Sequence, residues 1–198
     1  MPHTLKNKVP IPKAEARKIA HERSGEFTET ELKNKSDLII GRITDSDSFN
    51  YADRIFTYIS VSQKIVNTIP LIDIAQGRGK SVFLPKKSRS GGKPGRFQFI
   101  SYNKLVQNEL GFLEPEIGIE EDLSDIDLII LPCEAISLLG ERIGFEKMNY
   151  NSLLKNSFTP KIVLAFEFQL FNRIEYERHD IRIDRIITER RIINTREF

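Results

Sequence analysis

Residues 127–131 read Asp-Leu-Ile-Ile-Leu and run into Pro132. Four consecutive large aliphatic side chains leave no polar face, so this segment is a fully buried strand. It is far shorter than the roughly 20 apolar residues of a membrane helix. A strand of this kind belongs inside a parallel sheet covered by helices rather than in an antiparallel sheet with one wet face.

The neighbouring segments fit that frame. Pro12 suits a first helical turn, and 13–23 is rich in Ala, Glu, Lys and Arg, which favour helix. A second helix is expected over 29–43, with Thr28 and Glu31 spaced as a capping box. Strands are expected over 54–60, 81–84, 96–101, 161–166 and 185–188, and helices over 68–76 and 149–155. Thr68 is placed to cap the first of these helices, and Gly77 and Gly79 to end it. Strands separated by helices predict an α/β fold with a mainly parallel sheet.

Length and charge narrow the class. At 198 residues the chain suits one domain, 1–198, that folds on a hydrophobic core alone. One cysteine, Cys133, excludes an internal disulfide, and 1–18 lacks the apolar stretch of a signal peptide. A soluble cytoplasmic protein is expected. Thirty basic residues against 28 acidic ones leave a net charge of +2, too small to argue for nucleic-acid or membrane binding. Cys133 follows a buried strand and reads as a small apolar filler. His3, His21 and His179 lack metal-ligand spacing. The basic loop 86–96 has no interleaved aromatics to stack on bases.

Chemistry concentrates in 125–155. A buried strand ends at Pro132, a loop carries Gly140, Arg142, Gly144 and Lys147, and a helix follows. Ligands of open α/β sheets bind beyond the carboxyl ends of the strands. Helix N-termini and Arg or Lys side chains suit phosphate, so the residues alone allow an anion site or a solvated surface loop.

The segment also resembles the signature of the 5-formyltetrahydrofolate cyclo-ligase (methenyltetrahydrofolate synthetase) family. Asp127, Leu128, Ile129 and Pro132 match its strand; Gly140, Arg142 and Gly144 match its Gly-x-Arg-Leu-Gly; Lys147 and Tyr150 fall in its glycine-rich turn. Lys13 and Arg17 resemble its N-terminal Lys-x-x-x-Arg. Tyr58, Ile59, Ser60 and Thr68 resemble its folate-side strand and helix start. Gly79, Lys80, Phe83, Leu84 and Pro85, then Gly111, Glu114 and Pro115, then His179, Asp180, Asp184, Ile187, Thr188 and Glu189 continue the match in order.

The resemblance implies a three-layer αβα fold of the cyclo-ligase-like, CoA-transferase-like kind, acting as a monomer. It implies an ATP- and Mg²⁺-dependent closure of 5-formyltetrahydrofolate to 5,10-methenyltetrahydrofolate. ATP phosphorylates the formyl oxygen, N10 attacks the activated carbon, and phosphate leaves. It assigns Lys13, Arg17, Gly140, Arg142, Gly144, Lys147 and Tyr150 to ATP, with Arg142 and Lys147 acting in catalysis. It assigns Tyr58, Ser60 and Thr68 to the folate, and Asp184 and Asn151 to the metal. Partners are a reduced folate and ATP, with neither nucleic acid nor membrane.

Departures fall at functional positions. Glu146 and Met148 stand where the family turn has Gly, Asn149 replaces its first Tyr, and Asn151 replaces its Asp. Pro132-Cys133 replaces Pro-Gly, and Ile136-Ser137 replaces Phe-Asp. Its folate-contacting Glu becomes Ile65 or Lys64. Three functions accommodate these changes: an active cyclo-ligase, a nucleotide- or folate-binding homologue without turnover, and another substrate on the same scaffold.

Overall fold

The structure, a computed structural model, describes residues 8–60, 62–86, 95–109, 111–116, 125–145, 154, 157–178 and 180–197. Its centre is a sheet of seven strands. In chain order these are β1 (Arg54–Phe56), β3 (Ser81–Lys86), β4 (Gly95–Gln98), β7 (Leu128–Leu131), β10 (Lys161–Leu164), β12 (Arg185–Ile187) and β13 (Ile192–Asn194). Their order across the sheet is β13-β12-β10-β7-β1-β3-β4. The five inner strands are parallel, and the two edge strands are antiparallel.

Every residue of β7 and β10 is buried. Strands with no exposed side chain need cover on both faces, so the central layer is sandwiched as expected for a three-layer α/β fold. Helices α1 (Lys13–Ser24), α2 (Glu29–Thr44), the single turn α3 (Asp47–Asn50) and α4 (Ile69–Gly77) precede or separate the strands. Helices α2 and α4 pack on each other and reach the sheet at β12 and β3. One apolar cluster, from Leu32 to Ile193, takes in Ile39 and Ile43 of α2, Leu71 and Ile72 of α4, and β7. No described helix is long and apolar enough to cross a membrane.

Local chemistry explains much of this. The Thr28 side chain accepts the Glu31 N–H while the Glu31 carboxylate accepts the Thr28 N–H, so the capping box starts α2 where its spacing predicts. Asp127 stitches two strands: its carboxylate accepts the N–H groups of Asp53 and Arg54 at 3.0 and 2.8 Å. That pins β1 beside β7.

The expected strand over 54–60 divides. After Phe56 the chain leaves the central sheet, and β2 (Ile59–Ser60) joins a separate sheet with β6 (Phe112–Pro115) and β5 (Leu105–Gln107). Strand β3 runs through Pro85 instead of stopping there. Beyond Phe83 it no longer pairs with β1, so the missing proline N–H falls where that neighbour has gone. Thr68 precedes α4, but its hydroxyl donates to the Tyr58 carbonyl, and the Asn67 side chain accepts the Ile69 N–H instead. The expected helix over 149–155 lies outside the described residues except for Leu154, which is helical and buried.

Candidate active site

Strand β1 is followed on one side by β3, while β7 is followed on the other by β10. The sheet therefore reverses its winding between β1 and β7. Connections leaving a parallel sheet in opposite directions open a crevice beyond the strand ends, where α/β folds bind ligands. A cavity of about 190 Å³ lies there. Its walls come from the residues after β1 (Ser62, Lys64, Ile65), after β7 (Cys133, Glu134) and after β10 (Phe168, Gln169), from Phe145, and from one face of α1. A larger hollow of about 740 Å³ opens at the other end of the strands, around Lys161, Arg173, Asp184 and Arg196.

Helix α1 delivers the two N-terminal cations. Ala16 and Ala20 are buried against Ala135, Ile143 and Ile174, and such short side chains let the helix sit close to the backbone of the 135–143 hairpin. Lys13 and Arg17, four residues apart, share a neighbouring face. Arg17 Nε donates to Glu134 Oε2 at 2.7 Å. Lys13 Nζ donates to Asp180 Oδ2 at 2.7 Å and Glu177 Oε1 at 2.9 Å. Burial pulls the Lys13 pKa down, but the hydrogen bonds and charges of Asp180 and Glu177 outweigh it and hold the amine above its ordinary value. Both cations are thus engaged with carboxylates.

The hairpin of β8 (Ala135–Ser137) and β9 (Arg142–Ile143) carries the glycine–arginine motif, and β11 (Leu170–Phe171) pairs with β8. Gly140 turns the hairpin with φ of 81°, which only glycine adopts without strain. Arg142 is buried, and its Nη1 donates to the Pro132 carbonyl at 3.0 Å, at the carboxyl end of β7. Between them, Glu141 is buried and takes Arg173 Nε at 2.9 Å and the Ile174 N–H at 2.9 Å. This partly buried pair fixes the hairpin. Lys147, Tyr150 and Asn151, together with Glu146, Met148 and Asn149, lie outside the described residues.

The three residues expected at the folate have inward positions. Tyr58 is fully buried; its hydroxyl donates to Val66 O at 3.1 Å and its ring meets Phe112 edge-on. Ser60 Oγ accepts the Ser62 N–H, and Thr68 is bonded to Tyr58 O. Together they brace the 62–66 loop, and that loop, through Lys64 and Ile65, forms the cavity wall.

Asp184 lies away from this crevice. It precedes β12 at the amino end of the strands. One carboxylate oxygen accepts the Lys161 N–H at 2.9 Å, and the other pairs with Arg196. A carboxylate so committed joins β10 to β12 and does not fit a metal ligand in the crevice. Asp180 and Glu177 are the acidic residues of the C-terminal segment that stand beside Lys13. Among the described residues no three His, Cys, Asp or Glu side chains cluster as a metal cage.

Glu134, Phe145, Phe168 and Gln169 escape the reading by sequence. Gln169 is buried and bridges the crevice floor: its amide donates to Cys133 O at 2.9 Å and accepts the Phe166 N–H at 2.8 Å. Glu134, Phe168 and Gln169 all come just past the end of a buried strand, and that position is the signal that points to them. Burial pushes the Cys133 thiol up to about 12 against the pull of Arg142, consistent with an inert filler.

Comparison with known proteins gives one answer. The family model of 5-formyltetrahydrofolate cyclo-ligases matches residues 11–189. A Schizosaccharomyces pombe protein named as a probable 5-formyltetrahydrofolate cyclo-ligase is 24% identical, over 92% of this chain and 98% of its own. The Escherichia coli 5-formyltetrahydrofolate cyclo-ligase is 28% identical, over 64% of this chain and 73% of its own. The solved structure of Aquifex aeolicus 5,10-methenyltetrahydrofolate synthetase superposes with a TM-score of 0.77 at 28% identity, covering 93% of each chain. The Mycoplasma pneumoniae synthetase, at 15% identity and a TM-score of 0.69, shares the fold. With a match that begins just before α1, runs through the 135–143 hairpin and ends at Glu189, the chain belongs to the 5-formyltetrahydrofolate cyclo-ligase family.

Proposed function

We infer that the chain converts 5-formyltetrahydrofolate to 5,10-methenyltetrahydrofolate at the expense of ATP, in the crevice beyond β1, β7 and β10. The observation that carries this reading is the meeting of α1 and the 135–143 hairpin at the end of β7, which sets Arg17 beside Glu134 and Arg142 against Pro132.

Phosphoryl transfer demands cations held in place before the charge develops. In this reading Lys13, Arg17 and Arg142 supply them from a helix and a hairpin; Lys147 as a further cation and Tyr150 as a hydrogen-bond donor, both outside the described residues, are assigned to the phosphates as well. Ile65, Phe145 and Phe168 offer apolar surface for the reduced pterin ring. The formyl oxygen attacks the γ-phosphorus, ADP leaves, N10 closes on the activated carbon and gives up its proton to solvent, and phosphate departs. The protein's part is to hold the two reactants at attack distance and to exclude water. Mg²⁺ bound with ATP would neutralise phosphate charge; Asp184 is not assigned to it.

Purified protein with 5-formyltetrahydrofolate, ATP and Mg²⁺ is expected to produce the methenyl chromophore in the near ultraviolet. No absorbance change at high enzyme concentration, combined with a thermal shift on adding Mg-ATP, would replace this reading with that of a binding homologue without turnover.

A further inference from the structure

Arg17 is already occupied by an anion that the protein itself provides. Glu134 Oε2 lies 2.7 Å from Arg17 Nε, and the two side chains, 33% and 32% exposed, both face the cavity. The carboxylate rides on fixed backbone, since the Glu134 N–H donates to Ile143 O at 2.9 Å and its carbonyl accepts the Gln169 amide. Lys13 is engaged in the same way. Two cations on α1 therefore face three carboxylates: Glu134, Glu177 and Asp180.

A polyanion that takes either cation must therefore compete with a carboxylate already bonded to it. The three carboxylates differ in their freedom to move off. Asp180 is 8% exposed, and its Oδ2 also accepts the Glu177 N–H, so it is pinned. Glu177 is 59% exposed and lies at the Lys13 end. Of the three, Glu134 is the one on the cavity wall.

We propose that Glu134 is a specificity-determining residue that stands in for a phosphate oxygen on Arg17, so that ATP binds by exchange with it. Before ATP binds, the Glu134 carboxylate holds the guanidinium on the cavity wall. When ATP enters, a phosphate oxygen takes the Arg17 donor and the carboxylate swings toward solvent, which its exposure permits. Like charge then penalises any polyphosphate that arrives without displacing it. The inference rests on the placement of the phosphates at Arg17 given above.

The test is the dissociation constant of Mg-ATP for the wild type, Glu134→Gln, Arg17→Gln and the double variant. The ion pair is partly exposed, so all four should fold, which a melting curve checks. Removing the competing charge is expected to tighten ATP binding about tenfold in Glu134→Gln, and removing its partner to weaken it about tenfold in Arg17→Gln. The double variant should resemble Arg17→Gln. If Glu134→Gln binds ATP no better than the wild type while Arg17→Gln binds worse, Glu134 only orients Arg17 and the exchange proposal fails. If ATP binds and Arg17→Gln makes no difference, the placement of the phosphates at Arg17 fails, and the proposal with it.

Discussion

The guanidinium of Arg142 fills the space that a side chain on Gly144 would need. A Cβ at Gly144 would come within 2.1 Å of Arg142 Nη1 and 2.6 Å of its Cζ. The glycine is therefore a seat for the arginine, and Arg142 in turn holds the Pro132 carbonyl at the end of β7. Gly144→Ala should unseat the guanidinium and break that bond. A hydrogen bond from a charged group contributes about 1.5–3 kcal/mol, so a loss of that order is expected in urea unfolding. The ATP-dependent rate should fall with it. An alanine variant of full stability and full rate would show that Arg142 has another place to go.

Gly140 predicts a different failure. It has φ of 81°, and a Cβ there would lie 2.5 Å from the backbone oxygen of Ile183. The positive φ alone costs a side chain about 1–2 kcal/mol, and the clash is with backbone that cannot swing aside. Gly140→Ala is expected to lose about 2–4 kcal/mol, more than Gly144→Ala, by the same unfolding measurement. Equal losses would mean that the 135–143 hairpin can shift away from Ile183.

What could be read from the sequence was local, and what could not was distant. The Thr28–Glu31 box and the Leu128–Leu131 strand need only their own neighbours, and both stand where expected. The break after Phe56 depends on β6, more than fifty positions away, and no feature of 54–60 announces it. The hairpin that adds β13 turns on Thr188, whose N–H donates to Arg191 O and whose hydroxyl accepts the N–H groups of Arg190 and Arg191. A side chain that reads as a signature residue thus serves a turn. The same division runs through the site. Lys13 and Arg17 are visible as a spaced pair on a helix. Their partners Glu134 and Asp180 lie 117 and 167 positions away and become partners only through the fold.

Cys133 should be silent in the native protein. Its thiol is 1% exposed and pushed up to about 12 by burial. Below the ordinary thiol range, about 8.5, both folded and unfolded chains keep the proton and its contribution to stability is complete. Above that range the unfolded chain releases the proton first, so this contribution falls as pH rises toward 12. At pH 8 a chromogenic disulfide reagent is expected to leave the native protein unlabelled and to titrate one thiol per chain in guanidinium. Rapid native labelling would mean that the crevice floor opens.

Asp184 offers the sharpest separation between a structural and a metal-binding carboxylate. Its two oxygens are committed to the Lys161 N–H and to Arg196, at the amino ends of β10 and β12. The surface ion pair with Arg196 contributes little, because that arginine is 84% exposed. The bond to the strand N–H matters more, and its loss leaves a partly buried donor without an acceptor. Asp184→Ala is expected to lower stability by about 1–3 kcal/mol. The Mg²⁺ concentration giving half-maximal rate should not change, since the carboxylate stands at the opposite end of the strands from Arg17. A metal ligand would behave in the reverse way, leaving stability nearly intact and raising the Mg²⁺ requirement at least about tenfold. Measuring both quantities on one preparation decides the matter, and a raised Mg²⁺ requirement with unchanged melting would return Asp184 to the metal.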